Sequence, residues 1–213
     1  MPPGGHWSDR VKTLRLPSGH ILRFVAATKG DRGALGSWKQ SIKDESNPFK
    51  LASLELADLA FRRWEEARAQ KAFADNAAEL ADHIQHDPHA EVTLLTLAKD
   101  PQHRPGRLVG LVLFKRTWCN NICVQYIATH PLHVRDESSP LRGLGTALVY
   151  YVVYVANHID AGGLWGEATQ DSAQFYNKSL GRNNILDVVH LGQAEYMALK
   201  VGIEKKLSIA PSP

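Results

Sequence analysis

Residues 142–158 read RGLGTALVYYVVYVANH. Two glycines open the segment, and from Leu144 to His158 it is apolar nearly all round, which predicts a buried helix. Gly162-Gly163 ends it. Ahead of it stands ICVQYIAT, Ile122 to Thr129, and behind it LWGEAT, Leu164 to Thr169. Both have strand composition and turn residues at their borders. Strand, helix and strand in that order imply a parallel pair with a right-handed crossover.

Working outward, Val92 to Ala98 (VTLLTLA) and Arg107 to Lys115 (RLVGLVLFK) are strands parted by a turn at Asp100–Gly106. With Ile122–Thr129 they make an antiparallel meander, because the connections are short. Leu14 to Ala27 reads as a hairpin, or as a first strand reached through the turn Pro17-Ser18-Gly19. Lys29 to Gly33 is a loop and Ala34 to Asp44 a short helix. Asn47-Pro48 starts a longer helix, Asn as cap and Pro at the first helical position. Its apolar residues Leu54, Ala57, Phe61 and Trp64 fall on one face. A second helix runs from Phe73 to Gln85 and stops before Pro88. Past Thr169, a helix from Asp171 to Leu180 and two closing strands, Ile185–Leu191 and Tyr196–Ile203, complete the chain. The fold class is α/β: a mixed, mainly antiparallel sheet with a central parallel strand–helix–strand unit. It forms one domain, residues 11–207, between a flexible start (1–10) and a flexible tail (208–213).

With 44% hydrophobic and 22% charged residues, the 213-residue chain buries a full core and is not disordered. Two cysteines exclude a disulfide scaffold. No apolar run reaches the roughly 18 residues that span a bilayer. The first residues, MPPGGH, lack the pattern of a secretory signal, so a cytoplasmic location and no membrane partner are expected. A net charge of +3 suits a small polyanionic ligand and argues against a nucleic-acid partner, which needs a dense basic footprint.

Chemistry concentrates at Arg142-Gly143-Leu144-Gly145-Thr146-Ala147. Glycines ahead of a helix let the backbone approach an anion, and the first N–H groups of the helix point at it. A pyrophosphate fits there; a glycine-rich helix start with no ligand is the bland alternative. The segment matches R/Q-x-x-G-x-G/A, and in this it resembles the acetyl-CoA signature of the GNAT superfamily of N-acetyltransferases. Ile127-Ala128-Thr129-His130-Pro131 resembles that family's fourth strand and its exit. Ser172 to Lys178 (SAQFYNK) resembles its A-x-x-F-Y-x-K helix, and Tyr196 to Lys200 its last strand. Three departures stand out: a longer loop from Leu132 to Leu141, Leu180-Gly181-Arg182 shifted by one and lacking an aromatic, and Thr169 where Asn is usual.

The resemblance implies the acyl-CoA N-acyltransferase fold, with acetyl-CoA as co-substrate and a primary amine of a small metabolite as acceptor. In that family two strands splay, the pantetheine arm pairs with the backbone of Ile127, Ala128 and Thr129, and pyrophosphate sits on Arg142 to Ala147. Tyr176 falls where a hydroxyl protonates the leaving thiolate. The resemblance also suggests a homodimer. The family does not fix the general base. Glu167 and Gln125 are polar residues on central strands, where burial costs unless it is used. A partly buried Glu167 could take the ammonium proton; a salt-bridged Glu is the alternative. His130 is a second base candidate. Around Ser37-Trp38-Lys39 and Asp44-Glu45, loops offer a side of the acceptor pocket. Acetylation of a protein amine or of aminoacyl-tRNA, and a non-catalytic CoA-binding scaffold, are the rival functions.

His83, His86 and His89 are spaced by three, but Pro88 breaks the helix before the third, and no metal is expected. Cys119 and Cys123 have the wrong spacing for a zinc knuckle and no second pair.

Overall fold

The computed structural model describes residues 13–102, 106–136 and 138–207. The expectations for residues 1–10 and 208–213 lie outside them. β1 (Thr13–Arg15) and β2 (Ile21–Ala26) form the expected antiparallel hairpin, with Gly19 at φ +89° in the turn. β3 (Val92–Asp100), β4 (Arg107–Arg116) and β5 (Ile122–Thr129) form the expected meander. β6 (Gly163–Glu167) lies parallel to β5, and β7 (Val188–Gly192) antiparallel to β6. Among the described residues the sheet has seven strands in chain order, antiparallel except for β5 and β6.

Helices cover both faces. On one lie α1 (Leu35–Ser41) and α2 (Pro48–Ala69). Asn47 caps α2 by accepting from the Phe49 N–H at 3.0 Å, with Pro48 next, as the sequence signalled. Ala57, Phe61 and Trp64 are buried in a cluster with Leu95, Leu111 and Leu113; Leu54 is partly buried against it. The segment read as loop before α1 contains a short 3-10 turn, Asp31–Ala34. Asp31 ties it down by accepting from Thr28 and from the Lys99 ammonium at 2.6 Å.

α3 (Ala77–His86), α4 (Leu144–His158) and α5 (Gln170–Leu180) contribute to a larger cluster with Leu94, Val112 and Phe114. α3 starts later than the sequence suggested. Phe73 makes a bridge to Thr93, and Asn76 is the cap, accepting from the Glu79 N–H at 3.0 Å. α4 has the expected bounds and buries ten of its fifteen residues, which accounts for its lack of a polar face.

The C-terminus is the main correction. The strand expected at Tyr196–Ile203 is a helix, α6 (Gln193–Lys206). The Glu195 carboxylate accepts from the Gly192 N–H at 2.8 Å and starts it. Tyr196, Leu199 and Ile203 then form a buried stripe at helical spacing. Lys200 and Glu204, four apart, pair at 2.8 Å while buried, and the Tyr150 hydroxyl of α4 donates to the same carboxylate at 3.0 Å. A strand would put Lys200 and Glu204 on one face without this closure. The strand read as Ile185–Leu191 is the shorter β7. Among the described residues, no helix is long and apolar enough to cross a membrane.

Candidate active site

β5 pairs with β6 only at Ile122–Leu164, Cys123–Trp165 and Val124–Gly166. Beyond Val124 the two strands part, while β5 continues along β4 as far as Thr129. Ile127, Ala128 and Thr129 therefore keep partners on β4 and have no strand partner on the side of the gap, where the Thr129 carbonyl accepts from the Ser53 hydroxyl of α2 at 2.5 Å. A bulge in the β4–β5 register falls at the same level, where Leu113 faces Tyr126 and Phe114 faces Val124. Gly166 marks the fork: a Cβ there would stand 2.9 Å from the Val124 carbonyl oxygen. Gly166→Ala is expected to force the strands apart, costing about 1–3 kcal/mol. A thermal melt checks this; an unchanged midpoint refutes the fork.

The segment Arg142–Ala147 stands at the N-terminus of α4. Gly143 is the cap residue, at φ +98°, and no side chain caps the helix. Its position is closed in by Leu16, Pro17 and Leu207, each 3.6–3.8 Å from a Cβ built there. The Leu144 N–H is bonded to the Leu141 carbonyl at 3.0 Å, and the first helical bond runs from Ala147 to Gly143. The N–H groups of Gly145 and Thr146 thus have no partner within the helix. Arg142 is exposed beside them, Gly145 is half-buried, and Leu144, Thr146 and Ala147 are buried. Two donors that are free among the described residues, at the positive end of a helix dipole and with an arginine alongside, suit a pyrophosphate.

α5 closes the cleft. Thr169, the cap, accepts from the Ser172 N–H at 3.2 Å, and the Ser172 hydroxyl accepts from the Thr169 N–H at 2.8 Å. Gly181 ends the helix at φ +62°, so the departure at Leu180-Gly181-Arg182 is a left-handed C-cap. Tyr176 lines an apolar cleft with Val124, Ile127, Gly166, Glu167 and Leu180. Burial pushes its hydroxyl up to about 12.

The structure thus brings Ile127, Glu167 and Tyr176 to one cleft, but changes several expectations. Glu167 is exposed at the end of β6, not partly buried in mid-strand, because β6 stops there and not at Thr169. It shares an exposed face with Trp165, because strand residues two apart point the same way. His130, the second base candidate, is fully buried. Its Nε2 lies 2.8 Å from an Arg107 Nη, which can only donate, so the lone pair a base would use is taken. Burial, then the charges of Arg107 and His133, lower it from 6.5 to about 3. A folded value below the unfolded one gives stability that is present above pH 6.5 and lost as pH falls toward 3. The thermal midpoint is expected to drop across that window, and less in a His130→Gln variant.

Trp38 is fully buried and donates to the Leu108 carbonyl at 3.1 Å, so it is core and not pocket wall. Glu45 is paired with Lys50 at 2.6 Å. Gln125 stands at the bulge with its Oε1 buried and without a hydrogen-bond partner among the described residues. The sequence reading missed a groove of ≈ 630 Å³ lined by Thr146, Gly181, Arg182, Ala198, Gly202 and Lys206. Its signal was the isolated Gly202 in a helix-compatible stretch.

No family model matches the chain, and no curated protein matches it. Solved structures do. A GNAT-family acetyltransferase from Brucella melitensis in complex with acetyl-CoA matches at 12% identity and TM-score 0.45, over 81% of this chain and 90% of its own. A GNAT-family N-acetyltransferase from Escherichia coli in complex with CoA matches at 14% identity and TM-score 0.39, over 82% and 84%. Nourseothricin acetyltransferase matches at 20% identity and TM-score 0.37, over 50% of this chain and 66% of its own. What the topology itself contains is a mixed sheet with one parallel pair that parts beside a glycine-rich helix start. Of these three solved structures, two are named as acetyltransferases of the GNAT family and the third as an acetyltransferase.

Proposed function

We propose that the protein is an acetyl-CoA-dependent N-acetyltransferase whose acceptor is a primary amine of a small metabolite. The observation that carries this is the parting of β5 and β6 beyond Val124, in a domain whose α4 N-terminus is uncapped. Bound acetyl-CoA supplies the thioester carbonyl that the amine attacks and the thiolate that leaves. The N–H groups of Gly145 and Thr146, with Arg142, hold its pyrophosphate. The strandless edge of β5 from Ile127 through Ala128 to Thr129 offers its open backbone groups to the amide-bearing arm, the Thr129 carbonyl being already held by Ser53. Apolar walls at Val124, Ile127 and Leu180 exclude water from the arm.

Tyr176 donates its proton to the departing sulfur and recovers one from the nitrogen, which sheds its second proton as the amide forms. Burial pushes this hydroxyl up to about 12 and so keeps it in the protonated form that a proton donor needs. Glu167, exposed on the cleft wall, attracts the ammonium and passes its proton to water. The test is calorimetric titration with acetyl-CoA, followed by a transfer assay over a panel of amines. Binding and turnover of a small amine support the reading. Turnover only of a peptide amine or an aminoacyl-tRNA moves the acceptor class. Binding without turnover of any amine identifies a scaffold.

A further inference from the structure

We propose that the groove walled by α6 takes the nucleotide end of coenzyme A, and that Lys206 reads the ribose 3′-phosphate there. The inference rests on the acetyl-CoA reading above and adds a subsite built by the helix found where a strand was expected.

The groove of ≈ 630 Å³ is continuous with the glycine-rich helix start, since Thr146 belongs to both. The end of α6 reaches the same place: Leu207 lies 3.8 Å from the Cβ position of Gly143. The last turn of α6 therefore stands beside the donors assigned to the pyrophosphate. Lys206 lines the groove, is exposed, and makes no ion pair among the described residues. Arg182, the other cation of the groove, is already neutralised by Glu195. The floor is apolar, from Leu180, Leu191, Leu199 and Ile203, and suits the face of a purine.

Gly202 is the second mark of a site. It lies inside α6, where glycine weakens a helix, and nothing stands within 4 Å of a Cβ built on it. Neither a turn nor a close neighbour in the fold demands glycine there. Its missing side chain leaves the groove open. The occupant must be flat, partly apolar and anionic at one end, and must begin at a pyrophosphate. A purine nucleoside carrying a 3′-phosphate meets all of these conditions.

The test is titration calorimetry with CoA and with dephospho-CoA, which lacks only the 3′-phosphate. Wild type is expected to bind CoA about tenfold more tightly, as one charge-assisted contact gives. Lys206→Glu should level the two. Lys205→Glu carries the same charge change in the same turn, outside the groove lining, and should keep the ratio. Gly202→Tyr fills the groove and should weaken CoA binding about tenfold or more, without lowering the thermal midpoint, because tyrosine is the better helix former. Equal wild-type affinity for the two ligands, or undiminished CoA binding by Gly202→Tyr, overturns the subsite and leaves the acetyltransferase reading standing. Wild type that binds neither ligand overturns both.

Discussion

With Gly145 changed to glutamate, the protein is expected to lose acetyl-CoA binding while keeping its fold. The backbone at Gly145 is ordinary helix, and a Cβ there meets only the Phe175 ring, at 3.7 Å, an ordinary contact. A carboxylate in the first turn of a helix is favoured by the dipole, by about 0.3–1 kcal/mol. The thermal midpoint should therefore hold or rise slightly. The same carboxylate lies where the donors of Gly145 and Thr146 would meet a pyrophosphate, so it competes for them and repels the ligand. A loss of about 100-fold or more in affinity is expected, equivalent to about 2.7 kcal/mol. Calorimetry reads it directly, and affinity within a few-fold of wild type would place the phosphates elsewhere.

Tyr176→Phe is expected to separate chemistry from binding. The variant removes one oxygen from a half-buried ring that packs edge-on against Phe175, with centroids 5.3 Å apart. Shape is kept, so acetyl-CoA affinity should not change. Losing a positioned general acid lowers kcat by about 10²–10⁴-fold. Because burial holds the hydroxyl at about 12, it stays protonated through the working range. The wild-type rate should rise with pH as the acceptor amine deprotonates, and show no falling limb below about pH 10. A falling limb near neutrality, or a variant with wild-type kcat, would remove Tyr176 from the reaction.

The parts of this fold that the sequence disclosed are those where one period dominates. Leu144–His158 is apolar on every side and can only be a buried helix; Asn47-Pro48 supplies its own start signal. The closing segment carried two periods at once. Tyr196, Ala198 and Lys200 alternate, while Tyr196, Leu199 and Ile203 recur at helical spacing. What decides between them is the Lys200–Glu204 pair under Tyr150, a contact 54 residues away along the chain. The burial of His130 and Trp38 is hidden from the sequence for the same reason. Their places depend on Arg107 and on the Leu108 carbonyl, both distant in sequence. For Glu167 the difference is one of boundary: ending β6 two residues earlier turns a mid-strand carboxylate into an exposed one. The glycine-rich helix start was legible because its chemistry is local, carried by backbone and by a left-handed glycine.

Two separate clusters of buried side chains lie on opposite faces of the one sheet, and they divide the chain unevenly. The cluster under α2 draws its helical members from residues before Ala69, whereas the strand fork, α4, α5 and α6 all come after Ile122. Residues proposed to hold the acyl donor thus form one contiguous half of the polypeptide, and α1 and α2 lie in the other. Sequence drift, insertion or exchange in the first half can remodel one side of the gap while the donor machinery is inherited intact. A lineage built this way can change what it modifies without reinventing how.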